Sequence, residues 1–286
     1  MKTQNMGLYV AKQWIVKILC YLLLIALFLV SVVPIYMLLI NATRTTVQIQ
    51  SGISLIPGTA FFDNWETMSN LGVDVWLGVR NSAFVAFTST FLTVYFSMLT
   101  AYALVAYNFR FKKIFFVFVL AMIMVPGQLY IVGFFQYMHS MGLLNTFIPL
   151  IIPSIAAPGT VFFCKQYLDS SVSHELIQAA RIDGASEFGI FNRIILPLAA
   201  PGAFTMGIFA FVASWNAFMG PLFLVGGDQN LHTLPLIINR LQGDTFRRDL
   251  GAIYFGMAFT LIPILFVYAA FSRFIVSGIS LGSVKE

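Results

Sequence analysis

Six long apolar runs, almost free of charge, set the tightest limit on what this chain can fold into. They fall at about residues 15–40, 81–107, 114–138, 143–164, 198–225 and 250–271. A helix needs about 20 residues to cross the roughly 30 Å hydrocarbon layer of a bilayer, and each run is long enough. Apart from Lys17, none of them contains Asp, Glu, Lys or Arg. Across the chain 59% of residues are hydrophobic and 9% are charged, against roughly 25% charged in an ordinary soluble domain. The expected fold is therefore an all-α integral membrane protein with six transmembrane helices, forming a single domain over residues 1–286.

The basic residues give an orientation, because segments rich in Lys and Arg stay in the cytoplasm. Lys2, Lys12 and Lys17 precede or open the first run, and Arg110, Lys112 and Lys113 lie between the second and third. Both segments should be cytoplasmic. An even number of spans then returns the C-terminus to the same side. The net charge of +5 follows from this topology and does not point to nucleic acid. Cys20 and Cys164 sit within or at the ends of runs, so no disulfide framework is expected. The first run exceeds the 7–15 apolar residues of a secretory signal and should be a retained helix.

Outside the runs, Asn41 to Arg80 should form the longest external loop, with a short helix at about Asn64 to Leu71. Its apolar residues Phe61, Phe62, Trp65 and Met68 suit either the bilayer and neighbouring spans or an external partner. Pro34, Pro126, Pro153, Pro158, Pro221 and Pro263 lie inside the runs. Each removes a backbone hydrogen bond, which a bilayer tolerates where protein or a water-lined cavity covers the break.

The cytoplasmic segment 169–197 departs most from the rest of the chain, holding four acids and two arginines. Its pattern predicts one helix from about His174 to Ile182, with Ser173 as cap and Glu175 near the positive end. Asp183 and Gly184 should make a tight turn, since glycine enters the left-handed conformation readily. A second helix from about Ala185 would place Phe188, Phe191 and Ile195 on one face, packed under the bundle. The first helix would offer the small residues Ala179 and Ala180 to a groove in another protein. An amphipathic linker along the lipid headgroups is the alternative.

In this segment the chain resembles the inner-membrane permeases of binding-protein-dependent ATP-binding-cassette (ABC) importers. Their EAA motif reads E-A-A, three residues, G, nine residues, I, one residue, L-P. Gln178, Ala179, Ala180, Gly184, Ile194, Leu196 and Pro197 keep that spacing, with Gln178 in place of the leading Glu. Further resemblance, at Asn81–Ser82, Ala101–Leu104, Gly142–Thr146, Ile182–Ala185 and Ser214–Phe218, points to the carbohydrate branch, and within it to the second permease of maltose-type systems. It implies a type I ABC importer permease fold in a bacterial or archaeal cytoplasmic membrane, both termini cytoplasmic. It implies a coupling helix that meets the ATPases through Glu175, Gln178, Ala179, Ala180, Asp183, Gly184 and Ala185. Glu175 could replace the charge missing at Gln178. The C-terminal Gly282, Ser283, Val284 and Lys285 would make a second ATPase contact.

The implied partners are a second homologous permease, two ATP-binding-cassette ATPases, an extracytoplasmic solute-binding protein, membrane lipid, and a sugar or oligosaccharide. No nucleic acid is implied. The chain contains no phosphate-cradling G-x-x-x-x-G-K-[ST] loop, so Mg-ATP belongs on the partner ATPases and no cofactor, metal or catalytic residue is expected here. Gln128, Tyr130, Trp215 and Asn216 are candidates for the substrate pathway, set against plain interhelical packing. An ion-coupled secondary transporter would need an ionisable residue within the spans, and a membrane enzyme a cluster of reactive groups. The runs offer neither. An importer of the same class for a non-sugar solute is the nearer alternative.

Overall fold

The computed structural model describes residues 2–70, 74–240 and 249–280. Among them the regular structure is helical. The principal helices are α1 (Lys2–Asn41), α2 (Phe61–Asn70), α3 (Val75–Ala106), α4 (Lys112–Ile123), α5 (Ile131–Ser140), α6 (Pro158–Ser171), α7 (His174–Ile182), α8 (Ala200–Trp215), α9 (Leu234–Arg240) and α10 (Leu250–Ser280). The chain divides into two compact units, one of Met1–Val73 with Leu241–Phe259 and one of Asp74–Arg240 with Thr260–Glu286.

In the first unit α1 leaves its side chains exposed from Trp14 through Tyr36. A soluble protein could not sustain such a surface, whereas lipid tails are as apolar as the side chains they would meet. Beyond α1 the chain closes into a polar knot. Buried Asn64 donates to the carbonyls of Ala42 (2.9 Å) and Arg44 (3.1 Å). Arg44 is also buried, and its guanidinium donates to Asn41 Oδ1, to the Gly52 carbonyl and to the Gln48 carbonyl. Thr46 donates to Asp249 Oδ1 and accepts from the Leu250 amide, fixing the start of α10. The expected short helix is present as α2. Phe61 and Trp65 lie edge-on to Phe255, at 4.9 Å and 5.8 Å between ring centres, while Phe62 is exposed.

The second unit is built on α3, 32 residues without a proline. Its buried face carries Ser82, Val85, Ala86, Ser89, Thr93, Ser97, Ala101 and Tyr102. Small residues let neighbouring helices approach closely, and hydroxyls there supply the interhelical hydrogen bonds that apolar side chains lack. Thr93 donates to the Ser154 carbonyl (3.0 Å), Asn81 to the carbonyls of Asn230 and His232, and Ser82 accepts from the Leu234 amide (2.8 Å).

The described residues contain four helical stretches long and apolar enough to span a bilayer: Gln13–Asn41, Val75–Ala106, Ile148–Ser171 and Leu250–Phe271. A bent pair, Glu187–Leu198 and Ala200–Trp215 at 80°, makes up to a fifth. The expected third span, 114–138, is not one helix. It breaks after α4 at Pro126, passes a 3-10 turn at Gly127–Tyr130 and resumes as α5. Proline has no amide hydrogen to continue the ladder, and its ring clashes with the turn before it. The fourth run breaks likewise into Ile148–Ile151, a 3-10 turn at Ile152–Ile155 containing Pro153, and α6. The fifth stops at Trp215 and restarts as Met219–Val225, which contains Pro221.

Candidate functional site: a capped helix and a hydroxyl-lined cavity

Two features of the second unit bear on function. The first is the segment around α7. Ser173 caps this helix, its hydroxyl accepting from the Leu176 amide at 3.3 Å. Glu175 occupies the first turn and Arg181 the last, each favourably placed against the helix dipole. At the far end Gly184 adopts φ +79°. Its amide donates to Arg181 O and the Ala185 amide to Ala180 O, both at 3.0 Å. These are the paired bonds of a Schellman cap, which needs a left-handed residue at this position.

α7 has a clear inside and outside. Ile177 and Ala180 are buried in one cluster with Met98, Ala101, Tyr102 and Val105 of α3 and Cys164 and Leu168 of α6. Glu175, Leu176, Gln178, Ala179, Ile182, Asp183, Gly184 and Ala185 are exposed. Ala180 therefore does not help present a close-approach face outward, as the sequence led us to expect. It seats the helix on its own bundle, and Ala179 alone of the pair faces out. The second helix is also shorter than expected. It covers Glu187–Ile190 with Ser186 as cap, and continues through a single π turn at Phe191–Ile195. Phe191 and Ile195 pack inward as expected, but Phe188 is 66% exposed. An exposed apolar strip results, formed by Leu176, Ala179 and Ile182 on successive turns with Phe188 across the bend.

Beneath this strip lies a polar lock that sequence reasoning missed. Arg181 Nε donates to Glu187 Oε1 at 2.6 Å and its terminal nitrogen to Oε2 at 3.3 Å. Tyr102 of α3 donates its hydroxyl to the same Oε2 at 2.8 Å, and the guanidinium lies 5.2 Å from the centre of the Tyr107 ring. The Arg181 guanidinium, followed by the tyrosine hydroxyls, holds the Glu187 carboxyl down at about 2. Hydrogen bonds from its own amide and from Ser173 also hold the Glu175 carboxyl below the usual range. The available signal was an opposite-charge pair, Arg181 and Glu187, flanking the Asp183–Gly184 turn.

The second feature is a cavity of about 420 Å³, within the roughly 300–1,000 Å³ of small-molecule sites. The three proline-broken stretches meet on its wall, contributing Tyr130 and Ile131, then Pro153 and Ser154, then Gly220 and Pro221. α3 supplies Ser82, Ser89 and Thr93, and Thr160, Ser214 and Thr233 add further hydroxyls. Among the described residues no acid, base or histidine lines it. Thr233 is 4% exposed, and its buried Oγ1 has no hydrogen-bond partner among the described residues.

The sequence candidates for the substrate pathway divide. Tyr130 lines the cavity. Trp215 does not: it is 2% exposed, donates its ring N–H to the Thr260 carbonyl at 3.2 Å and lies 5.7 Å from the Phe211 ring. A buried indole needs a partner for its N–H, and here that need orients it into helix packing. Asn216 is exposed and ends α8, its amide donating to Val212 O, and it is not among the lining residues. The Gln128 side chain and the tail residues Gly282, Ser283, Val284 and Lys285 lie outside the described residues.

A helical membrane subunit with proline-broken stretches gathered on one cavity, and a capped helix seated on the bundle with an apolar strip facing outward, is built like a transport component. The chain belongs to the family of binding-protein-dependent transport system inner membrane components, whose family model matches residues 94–281. It is 32% identical to an arabinooligosaccharides transport system permease protein of Halalkalibacterium halodurans, over 90% of this chain and 92% of that one. It is 30% identical to an sn-glycerol-3-phosphate transport system permease protein of Salmonella typhi, over 86% and 89%. The fold matches a chain in the crystal structure of a bacterial ABC transporter involved in the import of the acidic polysaccharide alginate. The TM-score is 0.76 at 19% identity, covering 91% of this chain and 96% of that one.

Proposed function

We propose that this chain is one of two permease subunits of an ATP-driven importer for a sugar or oligosaccharide in a bacterial or archaeal cytoplasmic membrane. It crosses the bilayer six times with both termini in the cytoplasm, the third, fourth and fifth crossings being the proline-broken ones. α7 is the coupling helix. Its exposed strip of Leu176, Ala179, Ile182 and Phe188 enters a groove on one of two cytoplasmic ATPases, which bind Mg-ATP. Gln178, Asp183, Gly184 and Ala185 lie at that contact, and Glu175 supplies the negative charge that Gln178 lacks. The tail from Gly282 to Lys285 makes a second contact. Outside the cell a solute-binding protein delivers the cargo, and its docking and nucleotide binding bias one equilibrium between inward- and outward-facing states.

The observation that carries this reading is the two-sidedness of α7. A helix seated by Ile177 and Ala180 and locked by Arg181, Glu187 and Tyr102, yet exposing Ile182 at 86%, is rigidly held against the bundle and apolar toward the outside. The relative named for arabinooligosaccharides supports a sugar cargo. The relative named for sn-glycerol-3-phosphate supports a second reading, a non-sugar solute carried by the same machinery.

The test is to purify the tagged chain from its native membrane and reconstitute what accompanies it. An ATPase and a related permease should copurify, and uptake into liposomes should require ATP. Uptake by this chain alone, with no ATPase present, would sink the proposal.

A further inference from the structure

We propose that the loop 51–58, between α1 and α2, is a lipid-docking surface, its Ile53, Leu55 and Ile56 side chains inserted among the phospholipids at the headgroup and acyl-chain boundary of the outer leaflet. The inference needs only that α1 crosses the bilayer. The topology proposed above says which leaflet is meant, and neither cargo nor ATPase enters. The three side chains are 89%, 63% and 75% exposed, and residues 45–62 contain no Asp, Glu, Lys or Arg. A cluster of open aliphatic side chains without a nearby charge marks an interaction or membrane surface.

A hydrogen bond sets the depth. Tyr36, inside α1, donates its hydroxyl to the Leu55 carbonyl at 2.7 Å. Lys17 and Arg44 are the charges that bound the apolar part of α1, residues 18–43, which is about 39 Å of helix against a hydrocarbon layer of roughly 30 Å. A layer that begins at Ile18 ends near Met37, and one centred on the stretch ends near Ile40. Tyr36 lies on the inner side of both limits, at the level where tyrosines gather in membrane proteins. The segment bonded to it is therefore at the membrane boundary and adjoins the exposed Val33 and Tyr36 of α1.

The loop backbone is prepared for scarce water. An irregular segment enters a membrane only where its polar groups find partners within the protein. The Gly52 carbonyl accepts from Arg44 and the Leu55 carbonyl from Tyr36. The Ser54 hydroxyl accepts from the Ile56 amide and donates to the Ile56 carbonyl. Pro57 has no amide hydrogen, and the Gly58 amide donates to Thr43 Oγ1 at 2.9 Å. Polar groups thus close inward while aliphatic side chains stay open, the reverse of a loop built for water. A protein could cover the same side chains. Lipid is favoured because the Tyr36 bond holds them level with the end of the hydrocarbon layer, and because the patch continues the apolar surface of α1.

The test uses the complete chain, coexpressed with cysteine-free versions of the subunits that accompany it and reconstituted in vesicles of phosphatidylethanolamine and phosphatidylglycerol. Cys20→Ser leaves the buried Cys164 as the one native thiol, and Ile53→Cys then carries a bimane label. A nitroxide on the fifth acyl carbon of the lipid should quench the label about threefold more than one on the sixteenth, since interfacial segments sink only about 5–10 Å. Ile56→Cys repeats the measurement if the first variant fails to assemble. Quenching by external iodide with no effect of either lipid nitroxide would place the loop in water. Silence to iodide and to both nitroxides would mean that a protein subunit covers it. Either result overturns the proposal. The quenching is read whether or not the vesicles take up sugar, so failure of the importer reading would leave this result standing.

Discussion

Gly184→Ala isolates the conformational demand at the turn after α7. A Cβ built on Gly184 meets nothing within 4 Å, so the substitution adds no clash inside the protein. Its cost comes from φ +79°, where an L residue other than Asn or Asp loses roughly 1–2 kcal/mol. The two cap hydrogen bonds, from the Gly184 and Ala185 amides, are exposed to water and add little when they fray. An energy of that size shifts the balance between capped and frayed turn by roughly 5- to 30-fold. ATP-dependent uptake in liposomes and the amount of ATPase copurified should both fall within that range. Gly184→Asn keeps a side chain but tolerates the left-handed region, so it should recover much of the loss. Gly184→Glu carries the conformational penalty and also places a charge on the proposed docking surface, and should be worst. If Asn proves as damaging as Ala, bulk on the surface is what matters and the conformational argument fails. Wild-type uptake with Ala would refute it outright.

The lock beneath α7 gives a pH-dependent prediction. Arg181 holds the Glu187 carboxyl at about 2, below the roughly 4.3 of an unfolded glutamate. Its contribution is therefore present above about pH 5 and is lost as pH falls toward 2. The pair is partly exposed, 35% and 42% at the two side chains, so solvent screening keeps its contribution small. Thermal midpoints of the wild type and Glu187→Gln should differ at neutral pH and converge on acidification. A gap that widens as pH falls would contradict this sign. In the first unit, a Cβ at Gly251 would lie 2.3 Å from Asn64 Oδ1 and 2.7 Å from the Arg44 carbonyl, both members of the polar knot. Gly251→Ala should cost about 1–3 kcal/mol by overpacking, seen as a lower thermal midpoint and increased proteolysis of the 42–60 loop. An unchanged midpoint would mean that the knot yields easily.

What could be read from the sequence follows from which signals are local. The Ser173 cap, the Gly184 turn and the extent of α7 depend on residues within one or two helical turns, and they were legible. The direction in which α7 faces was not, because nine residues carrying Leu176, Ile177, Ala179, Ala180 and Ile182 have apolar groups on both sides. Only the neighbours Tyr102 and Cys164, some 75 and 13 residues before Ile177, decide that Ile177 and Ala180 turn inward. The apolar runs revealed the membrane, since composition survives any backbone break. They could not show that the third run divides at Pro126, because a proline is compatible with either a kink or a stop. Trp215 looked like a sugar platform by residue type. Its N–H is taken by Thr260, 45 positions away, a contact that no local pattern encodes.

The unbroken α3 links the two functional features. Its Tyr102 and Val105 end is buried against α7, and its Ser82, Ser89 and Thr93 line the cavity. Thirteen residues separate Tyr102 from Ser89, about 20 Å at 1.5 Å per residue. Neither proline nor a π turn interrupts that length, so a push delivered at α7 displaces the cavity wall as a rigid shift. The opposing walls are the proline-broken stretches, where missing ladder bonds make bending cheap. Under the proposed function a stiff lever thus faces deformable walls, and cavity shape should respond to nucleotide even without cargo. In the complete importer, ATP alone should then change the modification rate of a thiol introduced by Thr93→Cys. An unaltered rate there, in an importer whose ATP-driven uptake is intact, would show that the push does not travel along α3.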